Sequence, residues 1–114
     1  MKYLVTMELV ETALPAILAS PQATVQHIEQ RVIPTHEALM KLEAEREILA
    51  GGALVGRRAN AFIVEAASNE ELSRLLMSLP LSPMMKVEVT PLQSFEDIAA
   101  QVRQNLERLK AALK

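Results

Sequence analysis

Apolar and polar residues alternate over the first ten positions, and apolar residues then recur at helical intervals. Tyr3 to Val10 (YLVTMELV) predict a strand with Tyr3, Val5, Met7 and Leu9 on one face and Leu4, Thr6, Glu8 and Val10 on the other. The second face is only partly polar, which predicts a sheet covered on both sides. Ser20-Pro21 is a helix start, a capping hydroxyl followed by proline at the first helical position. Val25, Ile28, Val32, Leu39 and Leu42 form one stripe, with Thr35 at the missing step. Pro34 falls inside this pattern, lacks an N–H and crowds the preceding turn. The expected helix therefore runs from Pro21 to Arg46 and is irregular near Pro34.

Ile48–Val55 and Asn60–Glu65 read as short strands joined by a hairpin turn at Gly56–Ala59 (GRRA). Gly51 and Gly52 inside the first predict a bulge or the close approach of another group. Ser68-Asn69-Glu70-Glu71 is a capping-box signal, and Leu72, Leu75, Leu76 and Leu79 give the helix after it one apolar face. Pro80 and Pro83 end that helix. Met85, Val87 and Val89 alternate with Lys86 and Glu88, predicting a last strand over Met84–Thr90. Ser94 caps a final helix bearing Phe95, Ile98, Val102, Leu106, Leu109 and Leu113, which either docks on another subunit or folds back on its own domain.

The resulting order, βαββαβ plus a C-terminal helix, is an α+β, ferredoxin-like arrangement with an antiparallel sheet. It makes a single domain over residues 1–114, with residues 94–114 as a helical extension. The two main helices are expected on one sheet face. Leu4, Val10, Phe62 and Val64 are expected on the other, where a second copy of the chain would cover them face to face.

Composition narrows the function classes. Half of the 114 residues are hydrophobic, but there are only two phenylalanines, one tyrosine and no tryptophan, so the core must be mostly aliphatic. The net charge of −2, with signs interspersed, gives no basic face for nucleic acid. With no cysteine, disulfides and thiolate metal sites are excluded. His27 and His36 have no convincing third ligand nearby, so no metal is expected, and no cofactor motif is present. Ser78 and Ser82 lack a nucleophile-elbow setting. The N-terminus is too acidic for a secretory signal and no run is long enough to span a membrane, so the expectation is a soluble, cytoplasmic protein.

The junction LMSLPLSPMMKVEV, Leu76 to Val89, resembles the corresponding segment of the muconolactone delta-isomerases, through Leu76, Leu79, Pro80, Leu81, Pro83, Met85, Val87, Glu88 and Val89. ANAFIVEAASNEEL (Ala59 to Leu72) is similar to that family's third strand and helix start, and MKYLVTMELV to its first strand. The resemblance implies a dimeric α+β barrel that assembles into homodimers or higher oligomers. It also implies a cofactor-free isomerase that moves a double bond in a lactone or unsaturated acid by proton transfer. The chain departs from the family pattern at Leu4 and Thr6, where ionisable residues are usual. It departs again at Arg46 or Glu47, where a glycine is usual, and at Ser82, where a large aromatic is common.

Such chemistry needs a base and a group to stabilise an enolate. The catalytic candidates are His36, Glu37 and Glu8, with Glu65 and His27 also considered as bases. The substrate-binding candidates are Arg31, Arg58, His27 and Tyr3, with Arg57 and Lys86 as further cations. His27, Arg31 and Thr35 share one helix edge by their four-residue spacing. The competing reading is a solvated helix face and a non-catalytic oligomerisation or scaffold module, natural or engineered, that keeps the fold. A monooxygenase- or decarboxylase-like role rests on fold analogy alone.

Overall fold

The computed structural model describes residues 1–114. The elements are β1 (Lys2–Leu9), a short α1 (Leu14–Ile17), α2 (Pro21–His27), a π-helical stretch (Ile28–Val32) and α3 (Ile33–Ala44). These are followed by β2 (Ile48–Ala53), β3 (Ala59–Glu65), α4 (Asn69–Met77), β4 (Met85–Leu92) and α5 (Phe95–Ala112). The strands form one antiparallel sheet in the order β2-β3-β1-β4, as the expected ferredoxin-like connectivity requires.

Register decides which residues are inside. Tyr3 pairs with Val64 and Val5 with Phe62, and cross-strand partners share a face. The core therefore joins Tyr3, Val5, Met7, Phe62 and Val64 to Leu72, Leu76 and Leu79 of the α4 region. Phe62 and Val64, expected on the outer face, therefore lie inside: β3 is apolar at consecutive positions, and its pairing with β1 puts this pair of side chains in phase with Tyr3 and Val5. The outer face instead carries Leu4, Thr6 and Glu8 beside Ala61 and Ile63, and no helix of the chain covers it.

The predicted long helix is broken in a particular way. Pro34 lies in the first turn of α3, and the segment before it widens, with the Ile33 N–H donating to the Ile28 carbonyl five residues back. A proline cannot donate to the carbonyl four residues back, and a π turn absorbs the disruption without ending the helix. The chain stays helical instead of unwinding.

α3 ends in a Schellman arrangement. Glu47 N–H donates to the Leu42 carbonyl at 2.9 Å and Arg46 N–H to the Glu43 carbonyl at 3.1 Å. Arg46 takes the left-handed conformation this demands, with φ of 62°, at the position where glycine was expected. In β2 the pairing slips between Ile48 and Ala50, and Gly51 has φ of 149°. A Cβ on Gly51 would lie 2.5 Å from the Ala61 carbonyl oxygen, so the close approach inferred from the two glycines falls at Gly51.

The double-proline junction is anchored to the helical arm. Leu81 N–H donates to the Thr35 hydroxyl at 3.0 Å, and Arg31 Nη1 donates to the Pro80 carbonyl at 2.8 Å. A single turn of 3-10 helix at Ser82–Met84 then delivers the chain into β4.

α5 neither folds back nor meets any other element closely. None of its residues is buried, and the molecule extends 73 Å along its longest axis against 30 and 25 Å across.

Candidate functional site

At the end of the sheet where β1 finishes and β3 and β4 begin, the helical arm leaves a cavity of about 360 Å³. Its polar lining comes from Thr24 and His27 of α2, His36 of α3, Arg57 and Arg58 of the β2–β3 turn, and Asn60 of β3. Leucines of α1 and β1, with Ile28, Val32, Leu81 and Met85, supply its apolar wall.

His27 and His36 are nine residues apart, and in an unbroken α-helix they would point roughly 180° from each other. The π stretch between them rotates less per residue, so both reach the same cavity. His36 Nδ1 lies 2.9 Å from the Val32 carbonyl. That oxygen can only accept, so in the neutral ring Nδ1 carries the proton and Nε2 is the free basic nitrogen.

His27 plays a different part. Its Nδ1 is shut off from solvent with no hydrogen-bond partner. Burial, and then the Arg31 guanidinium, hold its pKa below the ordinary 6.5, which keeps the ring neutral. Thr24 turns its hydroxyl back to donate to the Ile17 carbonyl at 2.8 Å, tying α1 to α2 across the cavity wall.

Asn60 is the residue that motif reasoning passed over. It is buried on the covered face between Ala59 and Ala61, lines the cavity, and its carboxamide has no protein partner. A sequence signal existed: on β3 it falls in phase with Phe62 and Val64, a polar side chain at a core position.

The other candidates lie elsewhere. Glu8 sits on the outer sheet face, paired with Arg57 at 2.8 Å. Glu37 is exposed and is not part of the cavity lining. Arg31 is committed to the Pro80 carbonyl. Tyr3 is buried in the core, its hydroxyl donating to Asn69 Oδ1 at 2.8 Å. Glu65 pairs with the N-terminal amine at 3.2 Å and Lys86 with Glu88 at 3.3 Å. Ser82 opens onto a separate notch with Leu76, Met77 and Val87.

The family model for muconolactone delta-isomerase matches residues 1–97, most of the chain. The chain belongs to the muconolactone delta-isomerase family. Two curated members carry the same name: the enzyme of Cupriavidus pinatubonensis is 51% identical over 39 residues, and enzyme 1 of Acinetobacter lwoffii 54% identical over 39. Each match takes in 34% of this chain and only 42% and 41% of the respective relative. A crystal structure of muconolactone isomerase superposes with a TM-score of 0.64 at 29% identity, covering 82% of this chain and 90% of that one. A dehydrochlorinase of Burkholderia phenoliruptrix that acts on 5-chloro-2-hydroxyhydroquinone, solved with 2,5-dihydroxybenzoquinone, shares the fold at a TM-score of 0.57 and 16% identity. It covers 85% of this chain and 98% of its own. The family match stops within the first turn of α5, so nearly all of that helix lies outside it.

Proposed function

We propose that the chain is a cofactor-free isomerase that moves the double bond of muconolactone, or a closely related unsaturated lactone acid, by proton transfer within this cavity. The observation that carries the reading is His36, its Nδ1 fixed on the Val32 carbonyl, sharing one cavity with Arg58 and Asn60. Arg58 forms no salt bridge within the chain and supplies a cation for the substrate carboxylate. Nε2 of His36 takes a proton from the saturated ring carbon that bears the carboxymethyl group, whose C–H is acidified by the carbonyl through the conjugated double bond. The electron pair of that C–H bond moves into the ring and onto the carbonyl oxygen, giving a dienolate. Asn60 donates to that oxygen as its charge builds. The imidazolium, in exchange with solvent, then delivers a proton to the carbon next to the carbonyl, which completes the shift and restores His36. Family membership supports this chemistry, and a polar cavity supports it over the scaffold reading, which is better served by one filled with aliphatic side chains.

The sheet's uncovered face, with Leu4, Ala61 and Ile63 at its centre, supports a homodimer that closes a barrel. The test of the function is incubation of the full chain with muconolactone in D2O, followed by NMR. The expected result is migration of the double bond with deuterium at the receiving carbon. Arg58→Gln should lower kcat/KM by roughly 10- to 100-fold, the worth of a lost charge-assisted hydrogen bond. No migration with the unaltered chain would overturn the reading.

A further inference from the structure

α5 carries an apolar seam with nothing against it. Phe95, Val102 and Leu109 recur every seven residues, and Ala99, Leu106 and Leu113 do the same between them, giving an alternating four-three spacing. Ile98 flanks this seam in the first turn, and from Ala99 onward the spacing is the narrow two-position seam of a helix pair. The residues are open to solvent, Leu109 at 65% and Phe95 at 92%.

We infer that α5 pairs antiparallel with α5 of a second copy of this chain. Two independent features set the direction. The first is charge: Glu96 and Asp97 occupy the first turn, Lys110 lies in the last, and Arg108 just before it and Lys114 just beyond the helix make that end net basic despite Glu107. Antiparallel pairing sets the acidic end of each helix against the basic end of the other and opposes the two dipoles, whereas parallel pairing sets like against like. The second is volume. In the antiparallel arrangement Ala99 faces Leu109 of the second copy, Phe95 faces Leu113 and Val102 faces Leu106. In the parallel one Ala99 faces Ala99 and leaves a void, while Phe95 crowds Phe95. This pairing is separate from the catalytic reading and from the sheet-face dimer, and combined with the latter it gives each chain two self-complementary surfaces.

The chain has no cysteine, so introduced thiols report without interference. The double variant Ala99→Cys/Leu109→Cys, oxidised as the full chain, should run as a covalent dimer on non-reducing gels, while each single variant stays uncrosslinked. The two positions of one helix are about 15 Å apart and cannot bridge each other. Adding Leu106→Glu, an exposed change on α5, should reduce the crosslink at least tenfold with the circular dichroism spectrum retained. Crosslinking of Ala99→Cys alone marks a parallel pair, and absence of the double-variant crosslink marks another partner. Either overturns the inference, as does a crosslink that Leu106→Glu does not weaken.

Discussion

Thr35 stands where the apolar stripe of the first helix has room for an aliphatic side chain, and its hydroxyl accepts the Leu81 N–H at 3.0 Å in a fully buried setting. Thr35→Val keeps the shape and leaves that N–H without a partner. The expected loss is about 1–3 kcal/mol of unfolding free energy, read from urea melts. A loss no larger than that of an exposed helix substitution would count against the bond. His27 predicts a pH effect of definite sign. Its folded pKa lies below 6.5, so the unfolded chain binds more protons between the two values and stability falls as pH drops through that window. The contribution is complete above 6.5 and lost once pH passes beneath the folded value. His27→Gln should flatten that part of the stability profile, and an unchanged slope would assign it to other groups. These roles were only half legible beforehand. A threonine in an apolar stripe and an asparagine in phase with Phe62 stand out in the sequence, but their partners come from segments remote along the chain.

At the scale of elements, local signals located most boundaries because the chemistry that ends a helix is itself local. Ser20, Ser68 and Ser94 all accept the N–H three residues on, as capping serines do. Pro34 signalled an irregularity without revealing its form, since a kink, a break and a π turn all satisfy a missing N–H. The form matters: the π turn brings His36 to the cavity with His27. The phase of β3 is not legible in the sequence, because Ala61 and Ile63 are as apolar as Phe62 and Val64 and alternation alone does not choose a face. At the end of α3, Arg46 holds the left-handed conformation at a cost of about 1–2 kcal/mol for a residue with a Cβ. Arg46→Gly should therefore raise stability by about 1 kcal/mol, with part of the relief lost to backbone entropy. Gly51→Ala should have the opposite effect, about 1–3 kcal/mol of destabilisation, because its Cβ would meet the Ala61 carbonyl oxygen. Paired thermal melts of these two variants check both signs.

At the scale of the whole molecule, three surfaces divide the work. The covered sheet face holds the core, the uncovered face offers Leu4, Ala61 and Ile63, and α5 stands away from both. Ile63→Glu places a charge at the centre of the uncovered face, and light scattering should show the assembly mass fall to no more than that of the α5-paired dimer with secondary structure intact. An unchanged mass would place the sheet-face contact elsewhere. The family connectivity was legible in the junction from Leu76 to Val89 because its prolines set the exit from α4 and the entry to β4 together. The cavity was not, because its polar lining comes from α2, α3, the β2–β3 turn and β3. Only the closed sheet brings them to one end.

The most direct test of the isomerase account is kcat/KM on muconolactone for the unaltered chain and for His36→Gln, measured under identical conditions. Positioned proton transfer contributes about 100- to 10,000-fold, so the variant should lose at least about 100-fold while its circular dichroism spectrum and melting temperature hold. A His36→Gln chain as active as the original would contradict the assignment of the base.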